Sequence, residues 1–189
     1  PVLALAFGTT LANEQPGFHF DAKSLALPAL CTLLYADCLS RIYYASRPRE
    51  KQSGIAKAIH QKYIEAALPL IEARNYRGMK ALLKEAVAEF KSNIDTGKVL
   101  PRVGVVGEIY IKYNSFGHLN VLDWLAEQGV EVVAPSIYNF FVNSFVNRHI
   151  NKENHIKPVD LPLFLTDVVY KILFRYAKTF DEACKDFPF

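Results

Sequence analysis

The sequence lacks a strong charge of either sign. Its 189 residues include 22 lysines and arginines and 19 aspartates and glutamates, for a formal net charge of +3. An excess so small and scattered does not favour nucleic-acid binding. No uninterrupted apolar run approaches the roughly 20 residues of a membrane span, and the first residues lack the pattern of a secretory signal. We therefore expect a cytoplasmic protein without nucleic-acid or membrane partners.

Cysteine is scarce, with only Cys31, Cys38 and Cys184 in the chain. An odd number without paired spacing does not indicate a disulfide framework and suits a reducing compartment. Cys31 and Cys38 lie two helical turns apart, whereas a metal-binding pair on a helix would be three or four residues apart. We predict buried thiols that pack as small apolar groups, and no iron–sulfur site.

Several motifs of known chemistry are missing. The five histidines show no HxH or HExxH spacing, so no zinc or other metal site is predicted. There is no GxxxxGK[ST] phosphate loop and no GxSxG nucleophile turn. We predict no catalytic residue from motifs. Because Pro1 opens the sequence and Met79 is its one methionine, we expect a segment of a longer polypeptide, and cleavage of a precursor would give the same pattern.

Apolar residues, by contrast, are abundant and regularly spaced. They make up 51% of the chain, which is enough for a substantial core. Stripes at three- and four-residue intervals predict helices over 25–46, 53–73 and 76–94. On the first of these, Asp37 and Arg41 are four residues apart, in register for an ion pair.

The pattern of apolar residues changes after the third predicted helix. Compact apolar runs predict strands, and an amphipathic stretch ending in glycine lies between two of them, which indicates a parallel crossover. Two further helices follow, one after Ser136 and one from about Leu161 with an apolar stripe that reaches Tyr176. The polar stretch 147–158 between them is predicted to be a loop or a frayed helix end. We predict an α/β fold, a helix-rich three-layer domain with a small parallel Rossmann-like sheet. It would be a single domain over 1–189, with a helical segment at 24–97 and a strand–helix–strand segment with C-terminal helices at 98–189. The predicted strands are 2–7, 102–107 and 130–135, and the crossover helix is 118–129.

The segment GVVGEIYIKYNSFG, residues 104–117, places a polar loop directly after a predicted strand. Ligands of open parallel sheets collect at the carboxyl ends of strands, so we predict a ligand site there. The alternative is a structural loop in which the glutamate caps a helix and the tyrosines cover the sheet. The candidate ligand-binding residues are Gly107, Glu108, Tyr110, Lys112, Tyr113, Asn114 and Ser115.

Two segments carry a family resemblance. They are VGVVGEIYIKYNSFGHLNVLDWLAEQGVEVV and the A-D-x-L-x-R-x-x-Y…RP pattern of residues 36–48. Together they resemble the accessory domain of activator proteins of 2-hydroxyacyl-CoA dehydratases, of the 2-hydroxyglutaryl-CoA dehydratase type, also described as CoA-substrate-specific enzyme activases. Related sheet domains occur in the dehydratase subunits and in benzoyl-CoA reductase. The resemblance covers most of 24–189.

The resemblance implies a non-catalytic module that supports ATP-driven electron transfer to a 2-hydroxyacyl-CoA dehydratase. ATP and an iron–sulfur cluster would be held elsewhere in the full-length protein, because the phosphate-binding glycines and cluster cysteines of the family are not in this sequence. The implied partners are other modules of the same polypeptide, a dehydratase and a CoA-type ligand. The alternative function is a free-standing small-molecule or CoA-ester enzyme with Glu108 as general base.

Overall fold

The computed structural model describes residues 22–133, 136–154 and 163–189. Seven α-helices and two short strands lie in these ranges, and 71% of the described residues are helical. The helices are α1 (Ala22–Ser46), α2 (Ile55–Glu72), α3 (Tyr76–Asn93), α4 (Ile109–Tyr113), α5 (Val121–Glu127), α6 (Ile137–Glu153) and α7 (Leu163–Cys184); the strands are β1 (Arg102–Gly104) and β2 (Glu131–Val133).

The first three helices follow the predicted stripes closely. Their apolar faces meet in one core, where Cys31, Ile42, Met79, Leu83 and Phe90 are fully buried. Asn75 begins α3, because its side chain accepts a hydrogen bond from the Gly78 N–H at 2.9 Å and so satisfies a free donor of the first turn. The helical half of the sequence is therefore predicted by periodicity to within a few residues.

Helix α1 lies at the centre of this core. It packs against α2, α3, α6 and α7, and also against β2. The stretch Ser24–Arg49 is long and apolar enough to cross a membrane by length and composition. It is not an uninterrupted apolar run, because Asp37 and Arg41 lie within it. Length and composition are shared by membrane helices and by core helices of soluble proteins.

The predicted three-layer Rossmann-like fold is wrong. Within the described residues the sheet has only two strands, paired in parallel with Arg102 opposite Glu131 and Gly104 opposite Val133. The parallel pairing agrees with the crossover prediction, but the sheet is too narrow for helices to cover it as two layers. The helices bury their apolar faces against one another, so this is a helix-rich α structure. The strand predicted at 2–7 lies outside the described residues.

Both strands are half the predicted length. The chain leaves the sheet after Gly104, and Val106 is 89% exposed although it belongs to the same apolar run. One further hydrogen bond extends the pairing, from the Val105 N–H to the Val133 carbonyl at 3.3 Å. A small second core of Leu122, Ala126 and Val132 joins α5 to β2. The two strands were thus predicted at the right positions but with too great a length.

The C-terminal half differs from expectation in its helix lengths. Residues 147–153, predicted to be a loop or a frayed end, belong to α6. The last helix extends to Cys184, about two turns beyond Tyr176, the last residue of its predicted stripe. Phe180, Ala183 and Cys184 are buried there against the helical core, which explains why α7 extends past the predicted stripe.

Candidate functional site

The loop after β1 folds into a tight turn and the short helix α4. Gly107 has a φ of +152°, a backbone conformation that side chains with a Cβ rarely adopt. The next residue, Glu108, is exposed, and its carboxylate accepts a hydrogen bond from the Tyr110 N–H at 2.7 Å. Glu108 therefore caps α4, the role expected of it in the structural alternative.

Two other candidate residues also maintain the shape of the loop. The Asn114 side chain accepts a hydrogen bond from the Gly117 N–H at 3.0 Å. The Tyr110 ring lies against Gly117, where a Cβ would come within 3.0 Å of the tyrosine Cε1. These contacts fix the turn between α4 and α5. Gly107, Glu108, Tyr110 and Asn114 are not among the residues that line the neighbouring cavity.

The other three candidates lie at a cavity of about 360 Å³. Lys112, Tyr113 and Ser115 form one wall, and the middle of α1 forms the opposite one. The volume is at the lower end of the range for small-molecule pockets, roughly 300–1,000 Å³, so it suits a single ring or a short acyl group. The remaining wall residues come from α5, the start of α6 and the end of α7. The principal polar and aromatic ones are Asp37, Arg41, Tyr44, His118, Asp123, Ser136 and Asp181.

Asp37 connects the α1 wall of the cavity to the start of α6. Its carboxylate accepts hydrogen bonds from the Ser136 hydroxyl at 2.5 Å and from the N–H groups of Tyr138 at 2.8 Å and Ile137 at 3.2 Å. It thus caps α6 from α1 and complements the positive end of that helix dipole. The predicted ion pair with Arg41 is wrong, because the Asp37 carboxylate faces the start of α6 instead.

Arg41 pairs with α7. Its Nη2 lies 3.0 Å from the Asp181 Oδ1, and its guanidinium carbon lies 4.7 Å from the centre of the Phe189 ring. Both charged side chains are about half exposed, so the pair contributes little to stability. Its geometric role is to hold the end of α7 beside the cavity.

Lys112 and Tyr113 give the cavity its distinctive chemistry. Within the described residues Lys112 has no ion-pair partner, and its Nζ lies 5.4 Å from the centre of the Tyr113 ring. Burial and the nearby Asp37 carboxylate raise the pKa of Tyr113, so its hydroxyl stays protonated at neutral pH. The wall thus offers a cation and an aromatic face with a hydroxyl. This combination suits an anionic ligand that carries a ring.

His118 serves as a cap and as a wall residue. Its Nδ1 accepts a hydrogen bond from the Val121 N–H at 3.1 Å, at the start of α5, and the residue also lines the cavity. In the part of the chain that the structure describes, no three histidine, cysteine, aspartate or glutamate side chains are grouped as metal ligands.

The sequence analysis did not assign Asp37, Arg41 and Tyr44 to the site. They are four and three residues apart, so they share a face of α1 beside the apolar stripe of Leu34, Cys38 and Ile42. That spacing, inside a segment already noted for its resemblance, was the available signal. Asp181 carried no comparable signal, because only the tertiary fold brings it to α1.

Comparisons of this chain with known protein families, with curated proteins and with solved structures find no match. The resemblance to the activator domain therefore stays a prediction based on the two quoted segments.

Proposed function

We propose that this chain is a non-catalytic module of a CoA-enzyme activator protein, one that supports ATP-driven electron transfer to a 2-hydroxyacyl-CoA dehydratase. One observation carries the proposal: the two segments of the resemblance, distant in sequence, face each other across a single cavity. Asp37, Arg41 and Tyr44 come from the first, and Lys112, Tyr113 and Ser115 from the second. Residues that a family would need for recognition are expected to converge in this way.

The ligand proposed for the cavity is a CoA-type molecule, bound by one part only. The volume excludes a whole coenzyme, whereas the adenine ring or the acyl end fits against Tyr44 and Tyr113. Lys112 would then bind a phosphate or carboxylate of the ligand, since no acidic side chain among the described residues pairs with it. The rest of the coenzyme would lie across the adjoining surface.

The outer faces of α6 and α7 are the proposed contact with other modules of the same polypeptide. Large apolar side chains are exposed there to an extent that is unusual for a free surface, and such patches commonly mark interfaces. The exposed residues include Phe140 and Ile150 on α6, and Phe164, Val168, Ile172 and Phe174 on α7. ATP and the iron–sulfur cluster are assigned to those other modules.

The geometry does not favour the alternative enzyme with Glu108 as general base. The Glu108 carboxylate is exposed, is bonded to its own helix N-terminus and is not part of the cavity wall. A general base must reach the proton that it removes from a bound substrate.

Calorimetric titration of the chain with CoA and with a 2-hydroxyacyl-CoA tests the proposal. We expect saturable binding that Lys112→Gln weakens by roughly 10-fold or more, as for a lost charge-assisted hydrogen bond. The matched control is Lys91→Gln, which removes an exposed lysine on α3. Absence of binding by the wild-type chain, or equal weakening by both variants, would contradict the cavity as a CoA site.

A further inference from the structure

A second cavity adjoins the one described above and shares Tyr44 and Asp123 with it. Its volume is about 680 Å³, within the range of roughly 300–1,000 Å³ for small-molecule pockets. The rest of its lining comes from Tyr43 on α1 and from the start of α2, including Lys57, His60 and Gln61. The cavity is therefore large enough for a ligand of its own.

Three aromatic rings in contact form one wall of this second cavity. The Tyr43 ring centre lies 4.6 Å from that of His60 and 4.9 Å from that of Tyr44. Tyr43 is buried, whereas His60 and Tyr44 are partly exposed. Aromatic rings attract one another at centre distances of about 4.5–7 Å, so a flat ligand ring can stack on the exposed side of this cluster.

Asp123 supplies a hydrogen-bond acceptor beside the rings. Its Oδ1 accepts a hydrogen bond from the Tyr43 hydroxyl at 3.2 Å, and no donor among the described residues bonds to its Oδ2. An ionised carboxylate accepts hydrogen bonds and donates none. Asp123 therefore favours a ring that carries an N–H donor, such as an amino group.

Lys57 supplies a positive charge at the edge of the cavity. It is exposed, and none of the ion pairs within the described residues involves it. Burial lowers the pKa of His60, although Asp123 opposes the shift, so the imidazole is uncharged at neutral pH. Lys57 is then the cation that can bind an anionic group of a ligand, and a phosphate is the usual partner of such a lysine.

We propose that the second cavity binds a flat ring that carries an amino group and an anionic substituent, the chemistry of an aminopurine nucleotide. The ring stacks on His60 and Tyr44, its amino group donates a hydrogen bond to Asp123, and Lys57 binds the phosphate. The inference does not depend on the proposed activator function, because it rests on a cavity that Lys112 does not line.

Calorimetric titration of the chain with AMP tests the proposal, with two analogues for comparison. Purine riboside monophosphate lacks the amino group, and ribose phosphate lacks the ring. We expect saturable binding of AMP, binding of purine riboside monophosphate that is weaker by roughly 10-fold, as for a lost hydrogen bond to a charged group, and weaker binding still of ribose phosphate. Absence of AMP binding, or equal affinity for the three compounds, would overturn the proposal.

Variants separate the second cavity from the first. Lys57→Gln should weaken the binding of AMP by roughly 10-fold, as for a lost charge-assisted hydrogen bond. Lys112→Gln is the matched control, because Lys112 lines only the first cavity, and it should leave the affinity for AMP unchanged. Equal weakening by both variants, or weakening by Lys112→Gln alone, would assign the nucleotide to a different place and contradict the proposal.

Two further measurements test the roles of Asp123 and His60. Asp123→Asn keeps an acceptor for the Tyr43 hydroxyl but loses the charge, so it should reduce the preference for AMP over purine riboside monophosphate by several-fold. In NMR spectra the ring protons of His60, assigned with His60→Gln, should move upfield as the purine stacks on the imidazole. An unchanged preference in Asp123→Asn would contradict Asp123 as the acceptor, and shifts at His118 without any at His60 would contradict the second cavity as the site.

Discussion

The Asp37 carboxylate accepts a hydrogen bond from the Ser136 hydroxyl at 2.5 Å, across almost one hundred residues of sequence. With its two bonds to backbone N–H groups, it closes the N-terminus of α6 on the side of α1. The contact is both a helix cap and a tertiary contact. Its loss should loosen α6 and the cavity wall together.

We expect Asp37→Ala to lower the free energy of unfolding by about 1–3 kcal/mol, because a cap is lost and partly buried donors lose their partner. Asp37→Asn should lower the free energy of unfolding by less, since its amide oxygen can still accept hydrogen bonds from the start of α6. Chemical denaturation measures both. Asp186→Ala, at an exposed residue near the C-terminus, is the control and should change stability by at most about 0.5 kcal/mol. An Asp37→Ala protein as stable as this control would contradict the role of Asp37 as the cap.

Glu108 separates the two interpretations of the loop that follows β1. Because Glu108 caps α4, Glu108→Ala should lower stability by about 0.5–2 kcal/mol, and Glu108→Gln should cost less because it retains an acceptor. Since Glu108 is not part of the cavity wall, both variants should bind CoA with wild-type affinity. Thermal melts and ligand titration measure the two quantities. Weakened binding by a fully stable Glu108→Gln protein would restore Glu108 to the ligand site.

Glu131 at the start of β2 is a buried carboxylate between two arginines. Its oxygens lie 2.6 Å from the Arg49 Nη2 and 2.9 Å from the Arg102 Nε. The Arg49 side chain is 11% exposed and that of Arg102 is 54% exposed. Arg49→Ala should therefore lower the free energy of unfolding by about 3–5 kcal/mol, the range for a broken buried ion pair. Arg102→Ala should lower it by less than about 1 kcal/mol, because Arg102 is largely exposed. Urea unfolding of the two variants compares them directly. Equal losses would show that burial does not distinguish the two arginines.

His60 makes stability depend on pH. Burial lowers its pKa below the usual 6.5, although Asp123 opposes the shift, and its ring centre lies 4.6 Å from that of Tyr43. The unfolded chain therefore binds a proton at a higher pH than the folded chain does. The stabilisation is complete above about pH 6.5 and is lost as the pH falls from there through the lower pKa of the folded state.

Urea unfolding of wild type and His60→Gln at pH 7.5 and pH 5.5 tests this dependence. The wild-type protein should lose more stability between the two pH values than the variant does, because the variant has no imidazole to protonate. Parallel losses in the two proteins would assign the pH dependence to other groups.

The helices were predictable because periodicity is a local property. The stripes at 25–46, 53–73 and 76–94 correspond to α1, α2 and α3 with small differences at the ends. Pro69 lies inside the second helix, yet α2 is continuous to Glu72. Three residues from the end, a proline disturbs little that follows it.

The sheet was overpredicted because strand pairing is not local. An apolar run such as VGVVG is compatible with a long strand, but its length depends on which neighbours pair with it. Among the described residues β1 has one neighbour, so pairing ends at Gly104 and Val106 is exposed. The cavity shows the same limit. Lys112, Tyr113 and Ser115 could be proposed from one loop, whereas Asp181 reaches the cavity only after α7 packs on α1.

Because α1 lies at the centre of the core, part of its surface stays exposed during synthesis until its later partners are made. At about 5–20 residues per second, roughly 7–30 s pass between the synthesis of the end of α1 and that of the end of α7. During that interval the α1 surface that later contacts α7 is uncovered, on a helix apolar enough to pass for a membrane span. The nascent chain thus presents to chaperones an apolar face of α1 that α7 covers in the folded protein.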